Sequence, residues 1–152
     1  MAGATAFDPL WVWGEDSTQP RVLHSMIRVR DLEASLRFYR DGLGMAVLDR
    51  YDFEKERFSI LFLSYAGYRD GPAALELTHN WDQSQPYSHG SGYGHLAIGV
   101  SDVPAMYERL AGFGGQQASA PRSMRPGAPQ LAFVKDPDGY AIELIQIQRR
   151  IG

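Results

Sequence analysis

An internal repeat is the feature of this sequence that most limits its possible folds. The stretch HSMIRVRDLEASLRFYRDGLGM, which begins at His24, aligns with HLAIGVSDVPAMYERLAGFGGQ, which begins at His95. At the same offset Asp31 aligns with Asp102, and each aspartate precedes a segment whose apolar residues recur with helical spacing. Aspartate is a favoured helix N-cap because its carboxylate accepts hydrogen bonds from the free amides of the first turn. Each half therefore predicts a short strand followed by a capped helix.

Three further strands are predicted after each helix. Their ranges are 46–53, 58–65 and 73–81 in the first half, and 116–120, 130–136 and 141–148 in the second. Each half is then a βαβββ module of roughly 60 residues, a size at which a unit is only marginally stable by itself. We therefore predict an α+β fold of two paired modules. The predicted segments are an N-terminal extension at 1–20, a first module at 21–81, a linker at 82–92 and a second module at 93–149.

The charge distribution argues against several classes of partner. The net charge is −3, and the first 20 residues, which contain acidic but no basic side chains, account for all of it. The remainder is neutral overall, which argues against binding to nucleic acid or to an anionic membrane. The chain has no cysteine, no apolar run long enough to span a bilayer and no basic presequence. We therefore expect a cytoplasmic protein.

One predicted strand, AALELTHNW at 73–81, places a carboxylate within an otherwise apolar stretch. Since strand side chains alternate between the two faces of a sheet, the leucines and His79 point one way, whereas Glu76, Thr78 and Asn80 point the other way. A charge that leaves water is costly unless it is paired or binds a ligand. A solvated sheet face would explain this pattern if it occurred in a single strand. The choice between a solvated and a ligand-binding Glu76 therefore depends on whether the second half of the repeat carries a matching carboxylate.

Two histidines and two glutamates occupy matching positions in the two halves. His24 aligns with His95, and Glu76 in LEL matches Glu143 in IEL. Two imidazoles and two carboxylates form a donor set that suits nickel, cobalt, iron, manganese or zinc. On an octahedral metal they leave two adjacent positions open, which is typical of a catalytic site. Because all four residues obey the repeat, we predict that they are metal ligands.

Five stretches of the sequence match a known family. They are LHSMIRVRDLEASLRFYRDGLGM, FSILFLSY, LELTHNW, YGHLAIGV and LAFVKDPDGYAIELI, which together cover most of residues 22–146. The sequence thereby resembles the glyoxalase I (lactoylglutathione lyase) family of the vicinal-oxygen-chelate superfamily. The resemblance implies a homodimer in which the paired modules form a cupped mixed sheet around the metal, with the helices on its outer side. It also implies that His24 and Glu76 of one subunit meet His95 and Glu143 of the other.

The resemblance further implies a reaction. Members of the family convert the hemithioacetal of glutathione and methylglyoxal into S-lactoylglutathione by proton transfer through an enediolate. By its match to the family, Glu143 is the principal base, and Glu76 is the candidate for the opposite face of the substrate. The first ligand is histidine and the inserts of the longer, zinc-preferring members are absent, which resembles the class activated by Ni²⁺ or Co²⁺. The same ligand atoms can also hold Zn²⁺.

Substrate-binding residues are assigned by the same resemblance. They are Arg28, Asn80, Arg122, Arg125, Phe58, Ile60 and Phe62. Arg28 and Asn80 match positions that bind the γ-glutamyl end of glutathione. The two arginines of the loop 121–127 match positions that bind the glycyl carboxylate. The three apolar residues alternate onto one strand face and match a pocket for the aldehyde substituent.

Two other functions remain compatible with the sequence. A methylmalonyl-CoA epimerase shares the fold and the proton-transfer chemistry, although it would favour glutamine at the position of Glu76. A non-catalytic small-molecule binding module of the same fold would lack the metal-ligand set, so bound metal would distinguish it. The remaining histidines, His79 and His89, do not follow the repeat, and we expect both at the surface.

Overall fold

The computed structural model describes residues 18–65 and 73–148. Residues 1–17 of the predicted N-terminal extension and residue 149 of the second predicted module lie outside these ranges. The elements are β1 (His24–Arg28), α1 (Leu32–Leu36) continued by a π-helical segment (Arg37–Gly42), β2 (Ala46–Phe53), β3 (Phe58–Ser64), β4 (Ala74–Asn80), β5 (His95–Val100), α2 (Val103–Ala111), β6 (Gln116–Ser123), β7 (Gln130–Lys135) and β8 (Ala141–Gln146). The described residues thus contain the order βαβββ twice. No helix among them is long and apolar enough to cross a bilayer.

The described strands form two four-stranded mixed sheets with the same topology. The strand order is β1-β4-β3-β2 in sheet A and β5-β8-β7-β6 in sheet B. In each sheet the first and last strands of the module pair in parallel, and the other neighbours pair antiparallel. The predicted α+β fold of paired βαβββ modules is confirmed. The strand predicted at 116–120 is longer than expected, because β6 continues to Ser123.

The chain divides into two compact units that do not coincide with the two sequence repeats. Among the described residues, the first unit contains 18–28, 45–65 and 73–82, and the second contains 29–44 and 83–148. The helix of the first repeat therefore belongs to the same unit as sheet B. The module boundaries proposed from the sequence stay a prediction.

Alternation along the strands determines which face of sheet A is buried. Leu75 and Leu77 of β4 are buried, and they lie opposite Leu63 and Leu61 of β3 in the antiparallel register. Cross-strand apolar pairs of this kind stabilise a sheet, and burying one leucine side chain contributes about 1.5–3 kcal/mol. The intervening side chains of β4, among them Glu76, consequently project from the other face.

Both predicted N-caps are present. The Asp31 carboxylate accepts a hydrogen bond from the amide of Ala34 at 3.1 Å, and the Asp102 carboxylate accepts one from the amide of Ala105 at 2.9 Å. The first helix then differs from the second, because Leu43 donates its amide to the carbonyl of Phe38, five residues earlier. The π-helical segment ends before Gly44, whose φ of +78° is readily adopted only by glycine.

A buried polar contact ties the first helix to the DPDG turn within the second unit. The Tyr39 hydroxyl donates to Asp136 Oδ2 at 2.6 Å, and Asp136 Oδ1 accepts from the amides of Asp138 and Tyr140. Burial raises the pKa of Asp136 to about 6, against the opposing effect of the hydrogen bonds from Tyr39 and Tyr140. Burial, together with the nearby Asp136 carboxylate, also raises the pKa of Tyr39.

Candidate metal centre

The first half of the candidate site lies on the polar face of sheet A. Nε2 of His24 is 3.5 Å from Oε1 of Glu76. Glu76 lies between Met26 of β1 and Phe62 of β3 in the strand register, so both ligand candidates project from neighbouring strands on one face. The Glu76 side chain is only 13% exposed. A carboxylate enclosed to this extent needs a cation or hydrogen-bond donors beside it.

The second half of the candidate site repeats this arrangement on sheet B. Nε2 of His95 is 2.8 Å from Oε2 of Glu143. Glu143 lies between Ala97 of β5 and Phe133 of β7 in the register. The side chains are 44% exposed for His95 and 15% exposed for Glu143. In both units, therefore, the same imidazole nitrogen faces a largely buried carboxylate.

A phenylalanine packs edge-on against each of these two imidazoles. The ring centroids are 5.2 Å apart for His24 and Phe62, and 5.4 Å apart for His95 and Phe133. Edge-to-face packing of this kind restricts the orientation of the imidazole. Phe133 was not among the predicted site residues. The signal that identifies it is the repeat, because Phe133 aligns with Phe62 at the offset that aligns the histidines.

The two carboxylates differ in their hydrogen bonding. Oγ1 of Thr78 donates to Oε2 of Glu76 at 2.8 Å. The residue two positions after Glu143 is Ile145, which has no hydroxyl to donate. The alternation of the strand predicts that Thr78 shares a face with Glu76, but the hydrogen bond itself appears only in the structure.

The donor atoms present fit a divalent transition metal. Imidazole nitrogen and carboxylate oxygen are ligands of nickel, cobalt and zinc. Each pair supplies two donors that lie within 3.5 Å of each other. Among residues 18–65 and 73–148, no group of three or more histidine, cysteine, aspartate or glutamate side chains forms a site that could hold a metal. Each pair by itself therefore supplies two candidate ligands.

Two polar side chains predicted to bind glutathione lie on the Glu76 face of sheet A. Arg28 is exposed and pairs with Thr78 in the register of β1 and β4. Asn80 is half-buried and pairs with Phe58 of β3. Both residues thus lie toward the carboxyl ends of their strands, beyond the His24–Glu76 pair.

The predicted aldehyde pocket also lies on this face. Phe58, Ile60 and Phe62 pair with residues of β4 that share the face of Glu76. Phe62 is fully buried, whereas Phe58 and Ile60 are half-buried and so remain accessible. Phe53 of β2 stacks on Phe58, with ring centroids 4.5 Å apart. Sequence reasoning missed Phe53, although its apolar side chain lies in a predicted strand.

The two arginines expected in the loop 121–127 occupy different elements. Arg122 lies within β6, where its guanidinium donates to the hydroxyl of Ser119. Its register partner is Leu131, which places Arg122 on the same face of sheet B as Glu143. Arg125 lies in the exposed loop after β6. The loop assignment of Arg122 is wrong, because the paired strand extends beyond the predicted end.

The two histidines expected at the surface are both partly enclosed. His79 is half-buried in β4. His89 is half-buried as well, and its ring stacks on that of Tyr140 with centroids 4.0 Å apart and an interplanar angle of 10°. Nε2 of His89 is buried and has no hydrogen-bond partner among the described residues. His89 therefore anchors the linker to the residue that follows the DPDG turn.

Comparison with known proteins yields one consistent group of relatives. A family model described as the Glyoxalase/Bleomycin resistance protein/Dioxygenase superfamily matches residues 21–144. A probable lactoylglutathione lyase of Synechocystis sp. is 45% identical over 125 residues, which cover 82% of this chain and 94% of the relative. A lactoylglutathione lyase of Haemophilus influenzae is 42% identical over 128 residues, which cover 83% of this chain and 92% of the relative.

Solved structures point to the same group. Glyoxalase I from Zea mays superposes with a TM-score of 0.78 at 35% identity, over 85% of this chain and 45% of that chain. A glyoxalase I from Leishmania major, described as trypanothione-dependent, superposes with a TM-score of 0.72 at 38% identity, over 84% of this chain and 87% of that chain. The chain belongs to the Glyoxalase/Bleomycin resistance protein/Dioxygenase superfamily and, within it, to the family of the lactoylglutathione lyases, or glyoxalase I enzymes.

Proposed function

We propose that this chain isomerises the hemithioacetal of glutathione and methylglyoxal to S-lactoylglutathione, a reaction that detoxifies methylglyoxal. The observation that carries the proposal is the repetition of a histidine–glutamate pair, with Nε2 facing a carboxylate oxygen, on matching strands of both units. Family membership supplies the reaction, and the repeated pairs supply the residues that it requires.

The proposed ligands are His24, Glu76, His95 and Glu143. When bound, a divalent metal supplies a Lewis acid that stabilises negative charge on two adjacent oxygens of the substrate. The reaction moves one hydrogen from the carbon bonded to sulfur to the neighbouring carbon, so a base must remove a proton and return it. Glu143 is the proposed base, because a carboxylate beside the reacting carbons can carry the proton through the enediolate.

The substrate is held by the remaining residues of the two faces. Arg28 and Asn80 are proposed to bind the γ-glutamyl end of glutathione, and Arg125 or Arg122 its glycyl carboxylate. An arginine fork matches a carboxylate in two parallel hydrogen bonds, which fixes orientation as well as affinity. Phe58 and Ile60, backed by the buried Phe62, would contact the aldehyde substituent. We place the reaction in the cytoplasm, since glutathione is the thiol buffer of that compartment.

The pairs of two chains are proposed to combine into each metal site of a homodimer. A two-fold dimer is the commonest assembly, and it would generate two equivalent sites from two copies of each pair. Subunit mixing tests this arrangement. His24→Ala and His95→Ala variants should each be inactive alone, but random mixing should restore roughly a quarter of the wild-type activity, because one site in each mixed dimer is intact. Mixed samples that stay inactive would show that each site lies within one chain.

A metal-replacement assay tests the reaction and the metal together. The protein is stripped of metal, and Ni²⁺, Co²⁺ or Zn²⁺ is added back while thioester formation from methylglyoxal and glutathione is followed. We expect activity with nickel or cobalt and little with zinc. Activity with zinc alone would leave the function in place and overturn the choice of metal. Metal binding without activity would favour another thiol or an epimerase reaction, and failure to bind metal would favour a non-catalytic binding module.

A further inference from the structure

Thr78 contacts one carboxylate of the site and has no counterpart at the other. Its hydroxyl donates to Oε2 of Glu76 at 2.8 Å, while Oε1 of the same carboxylate faces Nε2 of His24 at 3.5 Å. We propose that Thr78 is a positioning residue that holds Glu76 as a ligand and keeps it from exchanging a proton with the substrate. The inference rests on the proposed function and assigns unequal roles to its two carboxylates.

The matching carboxylate lacks this restraint. Glu143 contacts Nε2 of His95 through Oε2, and within the described residues Oε1 of Glu143 accepts no hydrogen bond. Ile145 stands where a second threonine would be needed. A hydrogen bond to a charged carboxylate is among the stronger contacts of a side chain, so the Thr78 hydroxyl restrains the second oxygen of Glu76, whereas the histidine contact of Glu143 engages one oxygen only.

The strands beside the two glutamates, β1 and β5, also differ at the positions next to them. Glu76 is flanked in the parallel register by Met26, whereas Glu143 is flanked by Ala97. A methionine side chain fills space that an alanine leaves open. Glu143 thus has one oxygen without a hydrogen bond among the described residues and a smaller side chain beside it, whereas both oxygens of Glu76 face a partner.

The restraint has a stereochemical consequence. The two carboxylates are proposed to approach the substrate from opposite faces, so the base that returns the proton decides the configuration of the lactoyl carbon. If Glu76 is held away from proton transfer, Glu143 alone returns the proton and one enantiomer forms. Releasing Glu76 should therefore produce the other enantiomer, which is a readout that a purely structural role of Thr78 would leave unchanged.

The test compares Thr78→Val, which removes the hydroxyl at similar size, with Thr78→Ser, which keeps it. Ile145→Val is the matched control for altered apolar volume two residues after the other glutamate. The thioester product is hydrolysed and its lactate is resolved into enantiomers. We expect a single enantiomer from wild type, Thr78→Ser and Ile145→Val, and about a tenth of the opposite enantiomer from Thr78→Val, as the loss of one charge-assisted hydrogen bond would allow. A single enantiomer from folded Thr78→Val overturns the proposal.

A second comparison uses the base-deficient enzyme. Glu143→Gln should have little activity, and adding Thr78→Val should raise its turnover about tenfold, because the released Glu76 takes over proton transfer. Adding Thr78→Ser should not raise it. Equal turnover of Glu143→Gln with and without Thr78→Val would contradict the inference. Melting temperatures confirm in each case that the variant is folded.

A third measurement does not depend on turnover. Co²⁺ is titrated into the metal-free proteins, and its visible absorption, which varies with coordination number and geometry, is recorded. We expect Thr78→Val to change this spectrum, because a released Glu76 can present both oxygens, and Thr78→Ser and Ile145→Val to match wild type. Identical spectra for all four proteins would overturn the inference. If wild type forms no thioester at all, the proposed function fails and the Co²⁺ spectra still decide the role of Thr78.

Discussion

The His–Glu pairs of sheet A and sheet B share the same residue types and arrangement, whereas four matched pairs of side chains beside them differ. In each pair Nε2 faces a largely buried carboxylate, and a phenylalanine packs on the imidazole. The matched neighbours, with sheet A named first, are Met26 and Ala97, Arg28 and Gly99, Thr78 and Ile145, and Asn80 and Ile147. Sheet A thus presents large or polar groups where sheet B presents small or apolar ones.

The difference between the neighbours in sheet A and those in sheet B corresponds to two separate requirements, metal binding and substrate recognition. A metal needs several donors of the same chemistry, which duplication of one module provides directly. A thiol adduct of a tripeptide has a charged, polar end and a reacting end, so the walls around it must differ. We interpret the neighbours in sheet A as the recognition side and those in sheet B as the side with room for a moving base.

Exchanging each glutamate for glutamine tests the unequal roles most directly. Glu143→Gln should keep the fold and much of the bound metal while lowering kcat by about 10²–10⁴, the usual contribution of a general base. Glu76→Gln should lower kcat less and weaken metal binding more. Steady-state kinetics at saturating metal and the metal content after dialysis measure the two effects. Equal losses of kcat would show that the carboxylates share proton transfer.

The helices of the two repeats also differ in one buried hydrogen bond, which should affect the stability of the fold. Tyr39 and Leu110 match in the repeat and are both fully buried, but only Tyr39 carries a hydroxyl, which binds Asp136. Because the pKa of Asp136 is raised to about 6 in the folded state from an ordinary value of 3.8, this group favours folding when neutral. Its contribution should be complete below pH 4, fall as the pH rises toward 6 and stay constant above that.

The pH profile of unfolding measures this contribution. The integrated loss is on the order of 3 kcal/mol for a shift of this size. Asp136→Asn keeps an oxygen for the amides of Asp138 and Tyr140 and cannot ionise, so denaturant melts between pH 4 and pH 7 should show a flatter profile than wild type. Leu110→Met, which changes the matching helix without adding a titratable group, should keep the wild-type slope. An unchanged slope in Asp136→Asn would assign the pH dependence to other groups.

Substitutions of Arg28 and of Gly99, which match in the repeat, test which sheet recognises the substrate. Arg28→Ala should raise KM for the hemithioacetal about tenfold with little change of kcat, the effect expected when a charge-assisted contact made in ground and transition state is lost. Gly99→Ala should change KM much less, since its new Cβ would meet only the side chain of Ile147, with Cγ1 at 3.0 Å and Cδ1 at 3.3 Å. A fall of kcat in Arg28→Ala would indicate that Arg28 acts in the chemical step instead.

The N-caps should show no contrast at all. Asp31→Ala and Asp102→Ala each remove one hydrogen bond to an amide of the first turn, and each should cost about 1 kcal/mol of unfolding free energy. Chemical denaturation measures both variants, and Asp31→Asn and Asp102→Asn, which keep a capping oxygen, are the controls. A clearly larger cost at Asp31 would show that the π-helical segment after α1 depends on its first turn.

Local patterns in the sequence predict the repeated module, the strand faces and the caps, whereas the pairing of each histidine with a glutamate was implied by the family resemblance. The first three features follow from local rules, because alternation along a strand and spacing along a helix depend only on neighbouring residues. The repeat added the long-range information, since His24 and His95 had to occupy equivalent places. The same repeat aligns Phe133 with Phe62, but their contacts with the imidazoles appear only in the structure.

Several other features depend on contacts between distant parts of the chain. The tertiary structure grouped residues 29–44 with sheet B, extended β6 through Arg122 and buried one nitrogen of His89. It also brought the hydroxyl of Thr78 onto Glu76. Each of these depends on which strand ends stay paired and which rotamers the neighbouring chain segments allow. Such choices depend on packing between residues distant in sequence, which no local pattern of side chains encodes.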